Sequence, residues 1–341
     1  MDEKIKSLKS LVSEKRNIVI TMHSGPDGDA MGSALGLYNI FLQQGHNVVV
    51  ITPNDYASFL HWMPGNSNVI VFTEQEEKAI EITKNADLIF FLDFSHIKRL
   101  NDYASVVEQN SIATKIMIDH HQDPDESIAD IIFSDVSSCS TSQIIFEIID
   151  TLGLKNLINI DVAECLYTGI MTDTGSFKYS STTEKTHYII AQLIGMGAKN
   201  SKIHDFVYDN FSEDRVKLLG YCLNQKLLIF KESCSAIISL TTKELKRFNF
   251  KKGDTEGIVN YALTIEDVML AVFIVERNDK VKLSFRSKGN FKVNEIAKKY
   301  FKGGGHMNAA GGITDLSVNK TIEKLKEIFK KNKTKLLNIK L

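Results

Sequence analysis

The first half of the chain alternates four short apolar runs with helical stretches, and three of these runs end at acidic or imidazole side chains. The three runs end at or just before His23, Asp93 and Asp119. Continuous apolar runs of this length are typical of strands that are buried on both faces of a parallel sheet. Parallel strands joined by helices predict an α/β fold with a doubly wound sheet and right-handed crossovers. The carboxyl ends of such strands share one edge, so the acidic and imidazole groups are expected there.

The loop after the first run carries one imidazole and two carboxylates between a strand and a helix. Residues 17–22 form the apolar run, and a helix of small residues begins at Ala30. The Gly/Pro turn that separates them contains His23, Asp27 and Asp29. Two interpretations of this loop alone remain open: a metal site, or an ordinary Asx-rich turn that caps a helix.

Three later segments carry further acids or imidazoles to the predicted edge. They contain, in order, Asp93, then Asp119 with His120 and His121, and finally Asp173. Each of these residues could by itself cap a helix or a turn. Four separate segments that deliver such groups to one edge favour a common pocket. Between the last two segments, residues 140–143 have the spacing of a capping box and predict the start of a helix.

The second half of the chain predicts a smaller α/β unit. Strands are expected at residues 236–240, 268–276 and 280–287, and residues Asn278 and Asp279 form the turn of a hairpin between the last two. A helix over residues 293–301 leads into a glycine cluster.

The glycine cluster lacks the spacing of a dinucleotide fingerprint and the Lys-Ser/Thr pair of a P-loop. Glycine-rich backbone can still present N–H groups to a phosphate. The cluster follows a hairpin that carries Arg286, whose planar guanidinium suits phosphate oxygens. The sequence therefore predicts an anion clamp, with a flexible loop that closes a small domain as the alternative.

Composition limits the classes of partner. The chain has 341 residues and 43% hydrophobic content, so it can bury a full core and exceeds one typical domain. Its formal charge is −1, so no global field attracts long nucleic acid. No run approaches the roughly 18 apolar residues of a membrane span, and the start lacks a signal peptide's apolar core. We expect a cytoplasmic protein whose cysteines are reduced and structural: Cys139, Cys165, Cys222 and Cys234.

These motifs together resemble the DHH phosphoesterase family, named for the triad Asp119-His120-His121. The resemblance covers nearly the whole chain in five ordered motifs, at residues 23–30, 92–95, 119–121, 168–177 and 303–312. Within the family, the length and the lack of membrane or nucleic-acid-binding appendages are similar to the small nanoRNase/pAp phosphatase subgroup. The resemblance implies a DHH catalytic domain at 1–190, a helical linker at 191–215 and a DHH-associated substrate-binding domain at 216–341, with the active site in the cleft between the domains.

The resemblance also implies a site with two Mn²⁺ ions, for which Mg²⁺ or Co²⁺ could substitute. One ion would be held by His23, Asp27 and Asp93. The other would be held by Asp29, Asp93, His120 and Asp173, so that Asp93 bridges the two. Asp119 would orient an imidazole, and His121 would face the substrate phosphate.

The implied activity is hydrolysis of short oligoribonucleotides to mononucleotides and of adenosine 3′,5′-bisphosphate (pAp) to AMP and phosphate. The implied catalytic residues are Asp93, His121, Asp119 and Arg286. The implied substrate-binding residues are His121, Arg286, Gly303, Gly304, Gly305 and His306. Phe94 stands where many relatives have a smaller or polar residue, so a more apolar site wall is expected.

Several alternatives to this activity remain open. The same chemistry could cleave cyclic di-AMP or its linear product pApA. A family II type pyrophosphatase would share the N-terminal ligands, but the glycine cluster favours an organic phosphoester. A processive exonuclease would need a further nucleic-acid-binding domain. The alternative from a different class is a catalytically silent nucleotide-binding protein, which predicts the loss of a metal ligand. The family also suggests a homodimer.

Overall fold

The computed structural model describes residues 2–277 and 280–339, which form two compact units. The first unit ends at Asn210 and the second begins at Phe211. The residues predicted as a linker, 191–215, are thus divided between the two units. The hairpin turn predicted at Asn278 and Asp279 lies outside the described residues.

The first unit is an α/β unit. Its strands are β1 (Asn17–Met22), β2 (Asn47–Thr52), β3 (Ile70–Val71), β4 (Leu88–Leu92), β5 (Thr114–Asp119) and β6 (Ile131–Ser134). Its helices are α1 (Asp2–Leu11), α2 (Gly28–Gln43), α3 (Glu76–Lys84), α4 (Tyr103–Gln109), α5 (Thr141–Thr151), α6 (Ile160–Asp173), α7 (Glu184–Gly195) and α8 (Asn200–Tyr208).

The strands of the first unit form a parallel sheet in the order β3-β2-β1-β4-β5-β6. One core cluster contains residues of α2, α5 and α6, and another contains residues of α3 and α4. The predicted doubly wound parallel sheet is therefore confirmed. The strand order reverses between β1 and β4, and ligands of such sheets bind beyond the carboxyl ends of the strands at that point.

Two strands of this sheet were not predicted, and both lie at its edges. β3 has only two residues. β6 is the last strand of the sheet among the described residues. At this edge, Lys4 Nζ donates to the backbone carbonyl of Ile132, a residue of β6, at 2.9 Å. Short or capped edge strands avoid pairing with other chains, and they carry little of the apolar pattern on which sequence reasoning depends.

Helices α2 and α6 pack closely because glycines face each other at the contact. A Cβ on Gly32 would lie 2.5 Å from the carbonyl oxygen of Cys165. A Cβ on Gly169 would lie 2.7 Å from Oδ1 of Asp29. This close approach brings the start of α2 against α6, whose last residue is Asp173.

The second unit is a smaller α/β unit. Its strands are β7 (Leu227–Phe230), β8 (Ser235–Leu240), β9 (Leu270–Arg277), β10 (Lys280–Ser287), β11 (Gly304–Gly305) and β12 (Ala309–Thr314). Its helices are α9 (Glu213–Tyr221), α10 (Thr242–Arg247), α11 (Ile258–Leu263), α12 (Val293–Tyr300) and α13 (Val318–Leu337).

The sheet of the second unit is mixed and runs in the order β11-β12-β10-β9-β8-β7. β8 and β9 are parallel, and the other neighbours are antiparallel. A core cluster with α12 and α13 packs on one face, and a cluster with α10 and α11 packs on the other. The glycine cluster is not a loop throughout, because its two ends pair as β11 and β12. No helix within the described ranges is both long and apolar enough to cross a membrane.

Candidate metal centre

The loop after β1 places an imidazole and a carboxylate at the carboxyl edge of the sheet. His23 directly follows β1 and is buried. Asp27 is the N-cap of α2, and its Oδ1 accepts from the backbone N–H groups of Asp29 and Ala30, both at 3.1 Å. Its other oxygen, Oδ2, lies 3.7 Å from His23 Nε2. The Asx-type helix cap is thus present, and the same carboxylate also lies beside His23.

Asp93 lies between two imidazoles, one near each of its carboxylate oxygens. Oδ2 is 3.4 Å from His23 Nε2, and Oδ1 is 3.5 Å from His120 Nε2. Asp93 follows β4 with φ of 63°, a left-handed conformation that aspartate adopts more readily than most residues. Asp93 therefore belongs to three groups of potential ligands. Two of them are the ligand groups of the predicted ions, one with His23 and Asp27 and one with His120 and Asp29, and the third contains Asp119 and His121.

His120 connects these groups to the end of α6. Its Nδ1 donates to the carbonyl oxygen of Ser138 at 3.3 Å, so in the neutral ring Nε2 carries the lone pair. His120 Nε2 lies 3.5 Å from Asp173 Oδ2 and 4.0 Å from Asp29 Oδ2. The six predicted metal ligands, from four segments of the chain, thus lie together in the first unit.

The other two residues of the triad form a hydrogen-bonded pair. Oδ1 of Asp119 accepts from Nδ1 of His121 at 2.7 Å. Asp119 is fully buried, and its Oδ2 has no hydrogen-bond partner within residues 2–277 and 280–339. The side chain of His121 is 23% exposed. The buried carboxylate therefore holds the ring of a partly exposed histidine.

The crowding of buried carboxylates changes their pKa values. Burial, with the charge of Asp93 as the next cause, raises the pKa of Asp29 to about 7. Burial also raises the pKa of Asp173 to about 8, against the attraction of His120. Burial alone would raise the pKa of Asp93, but hydrogen bonds with His120 and His23 hold it well below its usual range. Burial alone would lower the pKa of His23, but hydrogen bonds with Asp27 and Asp93 raise it to about 10. The site therefore favours added positive charge.

The donor atoms and their spacing fit divalent cations. The nitrogen–oxygen separations are 3.4–4.0 Å, longer than an ordinary hydrogen bond of about 2.9 Å. Two atoms that bind the same ion at about 2.1 Å are separated by roughly 3.0 Å when they lie at a right angle and by up to about 4.2 Å when they lie on opposite sides of it. Carboxylate and imidazole ligands without thiolate suit ions such as Mn²⁺ and Mg²⁺. The candidate ligands are His23, Asp27, Asp29, Asp93, His120 and Asp173.

The N-terminus of α5 holds three of these ligands, and sequence reasoning did not assign it to the site. Asp29 accepts from the backbone N–H groups of Thr141 at 2.6 Å and Ser142 at 2.9 Å. The hydroxyl of Thr141 donates to Oδ1 of Asp93 at 3.0 Å. The carbonyl of Ser138 accepts from His120, as described above. A Ser/Thr-rich helix start between the triad and Asp173 was the available signal.

The capping box predicted for this helix is observed only in its first half. Ser140 is the N-cap, and its Oγ accepts from the backbone N–H of Gln143 at 3.1 Å. The side chain of Gln143 instead accepts from Thr186 at 2.9 Å and donates to Glu147 at 3.3 Å. A tertiary contact with α7 thus replaces the local bond.

Phe94 does not line the metal centre. It is 1% exposed and packs in the core cluster of α3 and α4, with its ring centroid 5.4 Å from that of Phe91. The expectation that Phe94 makes the site wall more apolar was therefore wrong, because the left-handed turn at Asp93 is followed by a return to the core.

The predicted substrate-binding residues of the second half lie in the second unit. Arg286 is on β10, and its Nη1 donates to the carbonyl of Phe285 at 2.9 Å. Gly304 and Gly305 form β11, and His306 lies in the connection to β12. A Cβ on Gly303 would lie 2.1 Å from the carbonyl oxygen of Gly311, so this approach of two strands requires glycine.

Two family models match the chain. The model of the DHH family, N-terminal domain, matches residues 17–170. The model of the DHHA1 domain matches residues 236–332. The first match includes five of the six candidate ligands and the hydrogen-bonded pair of Asp119 and His121, and the second includes the glycine cluster.

Curated relatives match over most of the chain. The bifunctional oligoribonuclease and PAP phosphatase NrnA of Bacillus subtilis is 30% identical over 301 residues, which are 86% of this chain and 88% of that protein. The cyclic-di-AMP phosphodiesterase GdpP of the same species is 28% identical over 94% of this chain but 48% of its own length. The crystal structure of an exopolyphosphatase-related protein from Bacteroides fragilis superposes with a TM-score of 0.94 at 37% identity, covering 99% of this chain and 98% of that one.

Proposed function

The chain belongs to the DHH family, with a DHHA1 domain in its second half, and we propose that it is a phosphoesterase of short nucleotides. It hydrolyses short oligoribonucleotides to mononucleotides and removes a phosphate from pAp to give AMP. The observation that carries this proposal is the position of Asp93, whose two oxygens lie near the imidazoles of two ligand groups. Support for the substrates comes from relatives that are named for both activities.

The metal centre is proposed to hold two Mn²⁺ ions, with Mg²⁺ or Co²⁺ as substitutes. His23, Asp27 and Asp93 would hold one ion, and Asp29, Asp93, His120 and Asp173 would hold the other. A pair of such cations lowers the proton affinity of water and neutralises charge on a phosphate. Asp93 would offer one carboxylate oxygen to the group with His23 and the other oxygen to the group with His120. A single side chain would therefore set the distance between the two ions.

His121 and Arg286 are proposed to bind the reacting phosphate. The bond from His121 Nδ1 to Asp119 fixes the tautomer of the ring, and Nε2 would donate to a phosphate oxygen when the ring is protonated. Arg286 would supply a second positive charge, and Gly303, Gly304, Gly305 and His306 would hold the terminal phosphate or nucleotide. Asp119 is thus a positioning residue, and the predicted active site in a cleft between the domains stays a proposal.

A second candidate activity is cleavage of cyclic di-AMP or pApA. It is favoured by one observation, the match of 94% of this chain to a cyclic-di-AMP phosphodiesterase. This relative is less similar than the oligoribonuclease, and this chain covers about half of it. The activity therefore ranks second.

The deciding experiment compares three substrates. Release of phosphate and AMP from pAp and an RNA dinucleotide, and conversion of cyclic di-AMP to pApA or AMP, are measured by chromatography with Mn²⁺ and with EDTA. The proposal expects release from pAp and the dinucleotide that requires the cation. A preference for cyclic di-AMP would favour the second activity, and no release from any substrate would favour a silent binding protein.

Two further expectations stay predictions. A homodimer would be detected as twice the chain mass of 38.3 kDa in light scattering. A cytoplasmic location, without binding to membranes or long nucleic acid, would be tested by cell fractionation and by binding assays with long RNA.

A further inference from the structure

Strand β10 separates apolar and polar side chains onto opposite faces of its sheet. The alternate residues packed in the core with α12 and α13 are Val281, Leu283 and Phe285. The opposite face carries residues that are exposed or half-buried: Lys280, Lys282, Ser284 and Arg286. We call these four residues the β10 stripe. Three of its four members are cationic, although the whole chain has a formal charge of −1.

The two strands beside β10 differ in how closely protein packs over this face. On the β9 side, the neighbours of Lys282 and Ser284 are Val275 and Phe273, which are buried in the cluster with α10 and α11. On the β12 side, the neighbour of Ser284 is Gly311. A Cβ on Gly311 would have one heavy atom within 4 Å, at 3.8 Å, so little protein stands above it. The stripe thus lies beside a position of β12 that has no side chain and has space above it.

Arg277 adds a fourth cation at the end of the stripe. It pairs with Lys280 in the hairpin register, and its guanidinium lies 4.3 Å from the ring centroid of Phe250. Its Nη2 donates to Thr255 Oγ1 at 3.0 Å, while its buried Nε has no hydrogen-bond partner in the part of the chain that the structure describes.

The charges at this end repel one another. Partial burial, and then the charge of Arg277, lower the pKa of Lys282. Burial also lowers the pKa of Arg277, and the carboxylate of Glu256 opposes that shift. An anion beside Lys282 would relieve the repulsion between the two cations.

We propose that the β10 stripe binds the phosphodiester backbone of a short oligoribonucleotide, on the nucleotides next to the one held at Arg286. This inference rests on the proposed function and names how substrate length is recognised. Alternate residues of a strand are about 6.8 Å apart, so the stripe is about 20 Å long and spans only a few nucleotides. Lys280 and Lys282 contact phosphates. The hydroxyl of Ser284, which lies between Lys282 and Arg286 in the stripe, donates a hydrogen bond to the same backbone. The short stripe holds a short strand, while the overall charge gives no attraction for a long one.

The test compares two double variants. One lacks two cations of the stripe, and the other lacks two cations elsewhere in the same unit. The test variant is Lys280→Ala/Lys282→Ala. The control is Lys330→Ala/Lys333→Ala, which changes the charge equally at exposed positions of α13. Binding of a fluorescent pentaribonucleotide is measured by anisotropy in EDTA, so that no cleavage occurs, at several salt concentrations.

The test variant is expected to bind the pentanucleotide at least five-fold more weakly than wild type and the control. The slope of log Kd against the logarithm of the salt concentration is expected to be smaller by about 1.4 for the test variant. Each lost phosphate contact on a single strand contributes about 0.7 to this slope. With Mn²⁺, the loss of kcat/KM is expected to be at least five times larger for the pentanucleotide than for pAp. Equal pentanucleotide binding by the two double variants would contradict RNA binding by the stripe. An equal loss of kcat/KM for the pentanucleotide and pAp would also contradict it.

Failure of the proposed function would look different. A wild-type protein that hydrolyses neither pAp nor a dinucleotide would remove the proposed activity, and the binding assay in EDTA would still decide whether the stripe holds RNA. A wild-type protein that hydrolyses both, with unchanged pentanucleotide binding in the test variant, would leave the function in place and remove the stripe.

Discussion

Asp93 is the residue at which one substitution disturbs the most contacts of the candidate centre. Asp93→Asn keeps the side-chain shape and tolerates the left-handed backbone at φ of 63°. It removes the charge that faces both His23 and His120. We expect hydrolysis of pAp in Mn²⁺ to fall by about 10³-fold or more.

The control for this substitution is Asp102→Asn, which changes an exposed aspartate of the same unit. Its rate is expected to stay within about two-fold of wild type, because isolated surface changes have small effects. Near-normal turnover of Asp93→Asn at saturating Mn²⁺ would show that Asp93 does not bridge two ions.

Thr141 is expected to position Asp93 through a single hydroxyl. Thr141→Val removes the donor to Asp93 Oδ1 but keeps the backbone N–H that binds Asp29. Loss of a hydrogen bond to a metal ligand typically weakens metal affinity by about 10–100-fold. Calorimetric titration of the metal-free protein with Mn²⁺ measures this change.

Thr141→Ser retains the hydroxyl and is the matched control. It is expected to keep Mn²⁺ affinity within a few-fold of wild type, because the donor to Asp93 remains. If the valine and serine variants bind Mn²⁺ equally, the hydroxyl has no positioning role and the effect of the residue is packing alone.

At the scale of elements, the start of α5 shows how a helix becomes part of a site. Its first N–H groups, which have no partner within the helix, bind the carboxylate of Asp29. The positive end of the helix dipole also favours that negative charge. Sequence patterns identify such a helix start, but they do not show that its partner lies 112 positions away.

Helix α10 in the second unit gives a pH-dependent prediction. Burial would raise the pKa of Glu244, but Lys226, Tyr221 and the capping residue Thr241 hydrogen-bond the carboxylate and lower its pKa to about 2. A lowered folded-state pKa contributes stability that is present above pH 4.5 and lost as the pH falls toward 2. Glu244→Gln is therefore expected to lower the free energy of unfolding by about 2 kcal/mol at pH 7.

Urea unfolding followed by circular dichroism at a series of pH values checks this prediction. The difference between wild type and Glu244→Gln should shrink as the pH falls below 4.5, because the wild-type carboxylate becomes protonated. Glu213→Gln, at an exposed position of α9, should show little difference at any pH. A difference that is constant with pH would exclude the charge of Glu244 as its cause.

At the scale of the whole molecule, we expect ion binding at the candidate metal centre to stabilise the first unit. An ion that binds only the folded state stabilises it by about 2.7 kcal/mol at a concentration 100 times Kd. Trp62, the single tryptophan of the chain, belongs to the first unit and reports its unfolding by fluorescence. We expect Mn²⁺ to raise the urea midpoint by this probe and EDTA to reverse the rise.

The Asp93→Asn variant is the control for this coupling. Its midpoint should respond weakly to Mn²⁺, because the variant lacks the carboxylate that belongs to both ligand groups. A response equal to that of wild type would locate the stabilising ion outside the candidate centre.

The sequence by itself determined the parallel sheet of the first unit and the types of residue that follow its strands. Apolar runs buried on both faces leave a local pattern, and the resemblance to a known family supplied roles for His23, Asp93 and Asp173. Only the tertiary structure decided that Thr141 holds Asp93, that Phe94 returns to the core, and that the glycine cluster pairs as two strands. These features depend on contacts between distant segments or on backbone conformation at one residue, and neither leaves a periodic signal in the sequence.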